Sequence, residues 1–477
     1  MLGAAGALTL VTLTGLAAGL AREWLLVAAW GAGAQADGFL VAAFVPEAVR
    51  TVLAGGLLSS AALALWQAEA ADRRPVWLGG MSTLVLGVAV CAALLLSLAA
   101  PLWVRLIGPG LPPDAVQRAG LTLAVLAWSL PGMALQAIWS VPLQAAGRFV
   151  TAGLGSLLYN LPAVVYLAWA RAEAQPQTLA WTFVGGSAAM AAVLLPGAWQ
   201  AGWRPSTLGR WPGAQARALG ARLAPLVGSA LLSQGLALLE RIVASYLGEG
   251  VVTVLNLARK LVNLPLLALM AVNQVLLGLM SRGGVTERLA LLRQGLGLVT
   301  VVSVPAAIGL MLAAPALVHV LFPAVQGTEV LAPVLGWYAV SLVVASWLQL
   351  GVRYCHASGD THLPFACELR GSVVQALALA GLGALWGVTG MAVSILVGLL
   401  VQGGLLWWRA GLRGRVPMLS LVGTSTLALL AAGAWGPAAL APWQAQPALV
   451  LAAATGIATL ALILLALWWQ PWRPARP

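Results

Sequence analysis

Charge is what this sequence has least of: 8% of its residues are Asp, Glu, Lys or Arg, where soluble domains carry about a quarter. That scarcity excludes a water-soluble globular fold. Lysine is almost missing, Lys260 being the only one. Cysteine is scarce as well. Cys91, Cys355 and Cys367 are odd in number and at least one sits inside an apolar run, which excludes a disulfide framework. No Walker loop, no GxSxG elbow, no HExxH pair and no carboxylate pair in a sizeable external loop is found, so neither nucleotide hydrolysis nor hydrolytic chemistry has residues to run on. His356 and His362 crowd Cys355 and Cys367, yet their spacing fits no zinc motif, and no metal or cofactor is expected.

What is present is apolar length. Hydrophobic residues make up 61% of the 477, mean hydropathy is +0.94, and apolar runs long enough to cross a hydrocarbon core about 30 Å thick recur throughout. Pro, Gly and charge punctuation predicts helices near 4–30, 38–70, 76–100, 115–140, 149–170 and 179–199. Six more follow near 221–247, 251–280, 290–313, 331–355, 364–386 and 388–410, and a last pair near 418–437 and 446–469. The stretch Ala4 to Leu20 lacks a basic n-region and reads as a retained first helix rather than a cleaved signal. The expected fold is therefore an all-α polytopic membrane protein of about fourteen spans, organised as 1–212, 213–415 and a helix pair at 416–477.

A net charge of +12 would suggest nucleic acid in a soluble protein. Here its location explains it. With the N-terminus inside, sixteen arginines fall in cytoplasmic loops and three, Arg105, Arg118 and Arg171, on the opposite side. Dropping one span would flip every later loop, so the split supports an even count with both termini in the cytoplasm. The halves also echo each other: VAAWGAG at Val27–Gly33 with VASYLGEG at Val243–Gly250, and QAAGRF at Gln144–Phe149 with HASGDT at His356–Thr361. Matching span order points to two parallel six-helix repeats.

Six cations fall within spans: Arg22, Arg50, Arg241, Arg259, Lys260 and Arg370, accompanied by Glu23, Asp37, Glu47, Glu240 and Glu368. A charge at the bilayer centre costs at least about 2.5–3.5 kcal/mol, so such groups face a partner or a watery cavity. Arg241 and Arg370 are read as pairing locally or reaching to the interface. Arg22, Arg50, Arg259 and Lys260 are read as lining a cleft between two lobes, where guanidinium groups suit a diphosphate because they bind it in bidentate fashion and keep their charge when desolvated. Glu23 and Asp37 are expected to orient them. Pro46, Gly55 and Gly56 on the second span, and Pro265 on the eighth, are expected hinges.

These same residues resemble a known family. Gly19-Leu20-Ala21-Arg22-Glu23 is similar to the first-helix segment of the MurJ/MviN family of lipid II flippases, within the multidrug/oligosaccharidyl-lipid/polysaccharide exporter superfamily. Gly31–Arg50 resembles that family's stretch from a Gly-rich turn to Pro-Asn-Leu-Leu-Arg, retaining Asp37, Pro46 and Arg50. In the second half ARKLVNLP, Ala258–Pro265, and YCHASGDTHLP, Tyr354–Pro364, resemble two further family segments. The resemblance covers nearly the whole chain and implies fourteen helices in two lobes of a V-shaped bundle, a groove at the last two helices for a polyprenyl tail, and export of lipid II, with Arg22, Arg50 and Lys260 as headgroup contacts. Leu16, Gly55 and the pair Arg259-Lys260 depart from the family's usual charges, and Gln375 and Leu379 leave no polar pair for sodium.

Implied partners are lipid II, the surrounding membrane lipids and proteins of cell-wall synthesis. Two other readings stand beside this one: an exporter of drugs or of another lipid-linked saccharide, which calls for a wider apolar or acidic cavity, and a non-transporting scaffold of the cell-wall machinery.

Overall fold

The computed structural model describes residues 2–54, 57–207, 213–321, 331–440 and 447–469. Among the described residues every regular element is helical. Two compact units divide the chain, Met1–Thr253 and Val254–Pro477.

The first unit holds α1 (Leu2–Trp30), α2 (Ala34–Ala54), α3 (Leu57–Ala68), α4 (Arg74–Leu98), α5 (Ala100–Ile107), α6 (Pro113–Leu126), α7 (Leu130–Ala145), α8 (Phe149–Gly153), α9 (Gly155–Ala170), α10 (Pro176–Gln200) and α11 (Gly213–Tyr246). Proline marks several starts. It stands in the first two positions of α4, α5, α6, α7 and α10, where its missing N–H would have had no helical partner anyway. Pro131 does more than start α7. It cannot donate to the carbonyl four residues back, and the chain tightens into a 3-10 turn over Ala127–Ser129, where the Leu130 amide bonds the Ala127 carbonyl.

Small residues then set how closely the helices approach. Gly15 and Gly19 of α1 face α9 one turn apart: a Cβ on Gly15 would lie 2.9 Å from the Ser156 Cβ, and one on Gly19 would lie 3.6 Å from the Asn160 side-chain amide. This Gly-x-x-x-Gly face brings the two backbones together. Across α9, a Cβ on Gly186 of α10 would meet the Tyr159 carbonyl at 2.8 Å.

The second unit continues α12 (Val251–Met280) and holds α13 (Val285–Leu321), α14 (Leu331–Ala357), α15 (His362–Arg409), α16 (Met418–Leu440) and α17 (Ala448–Trp469). The helical run of α15 doubles back at Gly387, whose φ of 58° and ψ of −137° only glycine adopts readily. That residue lies between the two helices expected at 364–386 and 388–410. α17 packs on α13 where a Cβ on Gly309 would run into the Thr459 hydroxyl.

Seven helices among the described residues are long and apolar enough to cross a bilayer. Leu95, Leu98, Leu102, Trp169, Leu385 and Leu419 are exposed on helix surfaces. A run of large exposed apolar side chains on so many helices belongs in lipid, not water. The chain is a multi-pass, all-α membrane protein.

Candidate functional site

The buried charges of the first unit gather around Arg22. Its side chain is 3% exposed and leaves α1 about 12 Å before the helix ends at Trp30. The close α1–α9 approach lets Asn160 reach it: the Arg22 Nη1 donates to the Asn160 Oδ1 at 3.1 Å, and the Asn160 amide is itself anchored on the Ser156 carbonyl at 2.8 Å. Nη2 donates to Glu23 and, at 2.9 Å, to Glu47 of α2. The guanidinium also lies over the Phe183 ring of α10, 5.1 Å from its centroid. Four helices thus fix one cation.

Two more guanidinium groups join it. Arg50, one turn beyond Glu47 on α2, lies 5.0 Å from the centroid of Tyr159, a fully buried residue in the field of Arg22, Arg50 and Glu47. Arg241 of α11 lies 4.4 Å from the centroid of Phe44, one turn before Glu47 on α2, and feels both Glu47 and Glu23. The site is thus built on a single stripe of α2, Phe44, Glu47 and Arg50, backed by Tyr159 and Asn160 of α9. Three arginines and two glutamates share this stripe, and the buried Nε atoms of Arg22, Arg50 and Arg241 have no hydrogen-bond partner among the described residues. Unsatisfied buried donors with excess positive charge are suited to receive an anion.

Of the residues singled out from sequence, Arg22, Glu23 and Arg50 come together. Asp37 does not orient an arginine. Its carboxylate, 1% exposed, accepts from the Gly250 amide at 2.6 Å, the Thr253 amide at 2.8 Å and the Thr253 hydroxyl at 2.6 Å, capping the first turn of α12. Arg259 and Lys260 lie half-buried on α12 in the second unit, with Arg259 in hydrogen-bonding reach of the buried Tyr338 hydroxyl on α14. Pro46 is buried inside α2 and residue 265 lies within α12. Gly55 and Gly56 lie outside the described residues. Sequence reasoning missed Asn160 and Tyr159, whose signal was a polar pair in an otherwise apolar span, and assigned Arg241 to local pairing or to the interface.

The second unit contains an apolar cavity of about 1030 Å³. Val343 and Trp347 of α14, Leu399 and Trp407 of the second arm of α15, and Met418 and Leu429 of α16 line it, together with Arg413. The cavity is thus walled by α14, α15 and α16. Among its described lining residues none belongs to α17.

A multi-pass scaffold, helical throughout its described residues, with a buried ion-paired arginine in one unit and an apolar cavity in the other, is the architecture of a membrane transporter. Solved structures share the fold: "Lipid II flippase MurJ, inward closed conformation" aligns with a TM-score of 0.79 at 16% identity over 97% of this chain and 99% of that one. An inward-facing multidrug resistance MATE family transporter of the MOP superfamily aligns at 0.70 with 15% identity, over 84% and 95%. The family model described as "Lipid II flippase MurJ" matches residues 26–453, and this chain belongs to that family. Curated relatives include the lipid II flippase MurJ of Burkholderia cenocepacia, 27% identical over 85% of this chain and 82% of the relative. A probable lipid II flippase MurJ of Rhizobium tropici is also 27% identical, over 84% and 81%.

Proposed function

We propose that this chain is a flippase that carries lipid II, an undecaprenyl-diphosphate-linked peptidoglycan precursor, from the cytoplasmic to the outer leaflet of the bacterial inner membrane by alternating access, with both termini in the cytoplasm. The observation that carries the reading is the buried Arg22, ion-paired with Glu23 and Glu47, with the half-buried Arg50 and Arg241 over the neighbouring Tyr159 and Phe44 rings. Such a place favours an anion over a neutral or cationic solute. Family membership supports the same substrate. In this reading Arg22 and Arg50 make the diphosphate place of the first unit, with Glu23 holding Arg22; Arg259 and Lys260 are the candidate headgroup cations of the second unit, whose cavity takes the polyprenyl tail, and Pro46 and Pro265 are bending points of the cycle.

The likeness to MATE transporters favours a second reading, export of drugs. A cationic drug would be repelled by the arginines, so the two readings separate on ligand charge. Native mass spectrometry of the purified protein with lipid II, against a zwitterionic phospholipid, tests this directly. Selective retention of lipid II that disappears in the Arg22→Ala, Arg50→Ala double variant is the expected result. Equal retention of both lipids by the wild type would refute it.

A further inference from the structure

The three guanidinium groups of the first unit are unequally occupied. Arg22 spends both terminal nitrogens on Asn160, Glu23 and Glu47. Arg50 makes no hydrogen bond among the described residues, and Arg241 makes one, a long 3.4 Å contact from Nη1 to the Ala237 carbonyl of its own helix. A guanidinium carries five N–H donors, so Arg50 and Arg241 keep nearly all of theirs. Each is laid on an aromatic face, Tyr159 and Phe44. A cation over a ring face is held there without consuming its N–H donors.

Position along α2 adds to this. Phe44 and Arg50 are six residues apart, about 9 Å along the helix, and Glu47 stands midway. Arg241, on Phe44, and Arg50 therefore stand on either side of the carboxylate that ties down Arg22. The Nε of each is buried and unpaired, which costs more than an ordinary hydrogen bond returns, so two half-buried cations with unsatisfied donors mark a place that a ligand completes.

Building on the lipid II reading, we infer that Arg241 is a second headgroup-binding cation, that Arg241 and Arg50 each take one phosphate of the diphosphate, and that Arg22 is a positioning residue that holds Glu47 between them. One phosphate satisfies one fork. Two linked phosphates satisfy both, so the pair selects diphosphate over monophosphate.

The test is native mass spectrometry of the full-length protein with undecaprenyl diphosphate, undecaprenyl monophosphate and a zwitterionic phospholipid as probes, for wild type, Arg241→Gln and Arg241→Lys. Wild type is expected to prefer diphosphate over monophosphate, Arg241→Gln to lose about tenfold in diphosphate retention and most of that preference, and Arg241→Lys to keep binding but with reduced preference, because ammonium lacks the fork. Diphosphate preference unchanged in Arg241→Gln would overturn the inference while leaving the lipid II reading intact. Should Arg241→Gln not fold, unchanged preference in Arg241→Lys overturns it equally. Wild type that prefers neither phosphate lipid over the zwitterionic one would overturn the lipid II reading and this inference with it.

Discussion

Replacing Asp37 by alanine should loosen the first turn of α12 far more than it disturbs the rest of the protein. The Asp37 carboxylate accepts three hydrogen bonds, from two amides and one hydroxyl. Bonds to a charged group are worth about 1.5–3 kcal/mol each, but the alanine variant also escapes the cost of burying a carboxylate. A net loss of about 2–4 kcal/mol remains for holding Gly250 and Thr253 in place, and that is roughly thirtyfold to a thousandfold in a local opening equilibrium. Hydrogen exchange followed by mass spectrometry over residues 247–256 reads it: those amides should exchange faster by about that factor, while α13 and α14 stay as they were. Thr253→Val removes a single bond and should cost about 1 kcal/mol, and the double variant should lose less than the sum, because both changes break the same contact. Unchanged exchange in this segment, in a variant that melts like wild type, would show that Asp37 does not hold the turn.

Other changes probe the site and the cavity. Asn160→Ala strips the Nη1 partner of a cation that is 3% exposed and should cost about 1–3 kcal/mol in denaturant unfolding, together with weaker lipid II retention. Gly186→Ala pushes a methyl to 2.8 Å from the Tyr159 carbonyl. It should destabilise by about 1–3 kcal/mol through overpacking, and a variant as stable as wild type would mean that α9 and α10 are not in close contact there. Gly404→Phe enters the second-unit cavity where a Cβ meets nothing within 4 Å, so thermal stability should hold while retention of a long polyprenyl lipid falls relative to a short-chain analogue. Equal loss of both lipids would count against a role for the cavity in holding the tail.

Much of the helical layout was legible because lipid imposes a simple demand: long apolar runs, ended by Pro, Gly or charge. The break between the expected helices at 364–386 and 388–410 coincides with Gly387 for that reason. Finer features needed neighbours. The apolar run at 76–100 goes on into α5, and the α6–α7 run tightens at Pro131, because local proline chemistry acts below the length scale of a hydropathy window. Charge in an apolar span was a sound pointer to Arg22, Glu23 and Arg50, since burial cost alone forces such groups together. It could not say which partner each would find. Asp37, read as a companion of the arginines, instead meets a helix start more than two hundred residues further along. Asn160 and Tyr159 carry no formal charge and entered the site only because Gly15, Gly19 and Gly186 let three helices close around them. Arg241 lies near the end of its helix, where reaching to the interface is the usual solution, and only the presence of Phe44 shows that it turns inward.

The reversal at Gly387 has a consequence for how this chain tolerates insertion and deletion. The two arms of α15 meet with no loop between them. A Cβ on Gly371 would lie 2.6 Å from the Gln402 Cβ, and one on Gly398 would lie 2.6 Å from the Gln375 Cβ, and in each pair the two residues stand about equally far from the fold-back. The hairpin therefore works like a folded ruler with facing marks. One residue added to either arm would slide every mark beyond it by 1.5 Å and turn it by 100°, carrying Leu399 and Trp407 away from the cavity that they wall. In a membrane protein whose loops take up length changes freely, this is a segment where length itself is under constraint, and where substitutions should be far better tolerated than a single inserted codon.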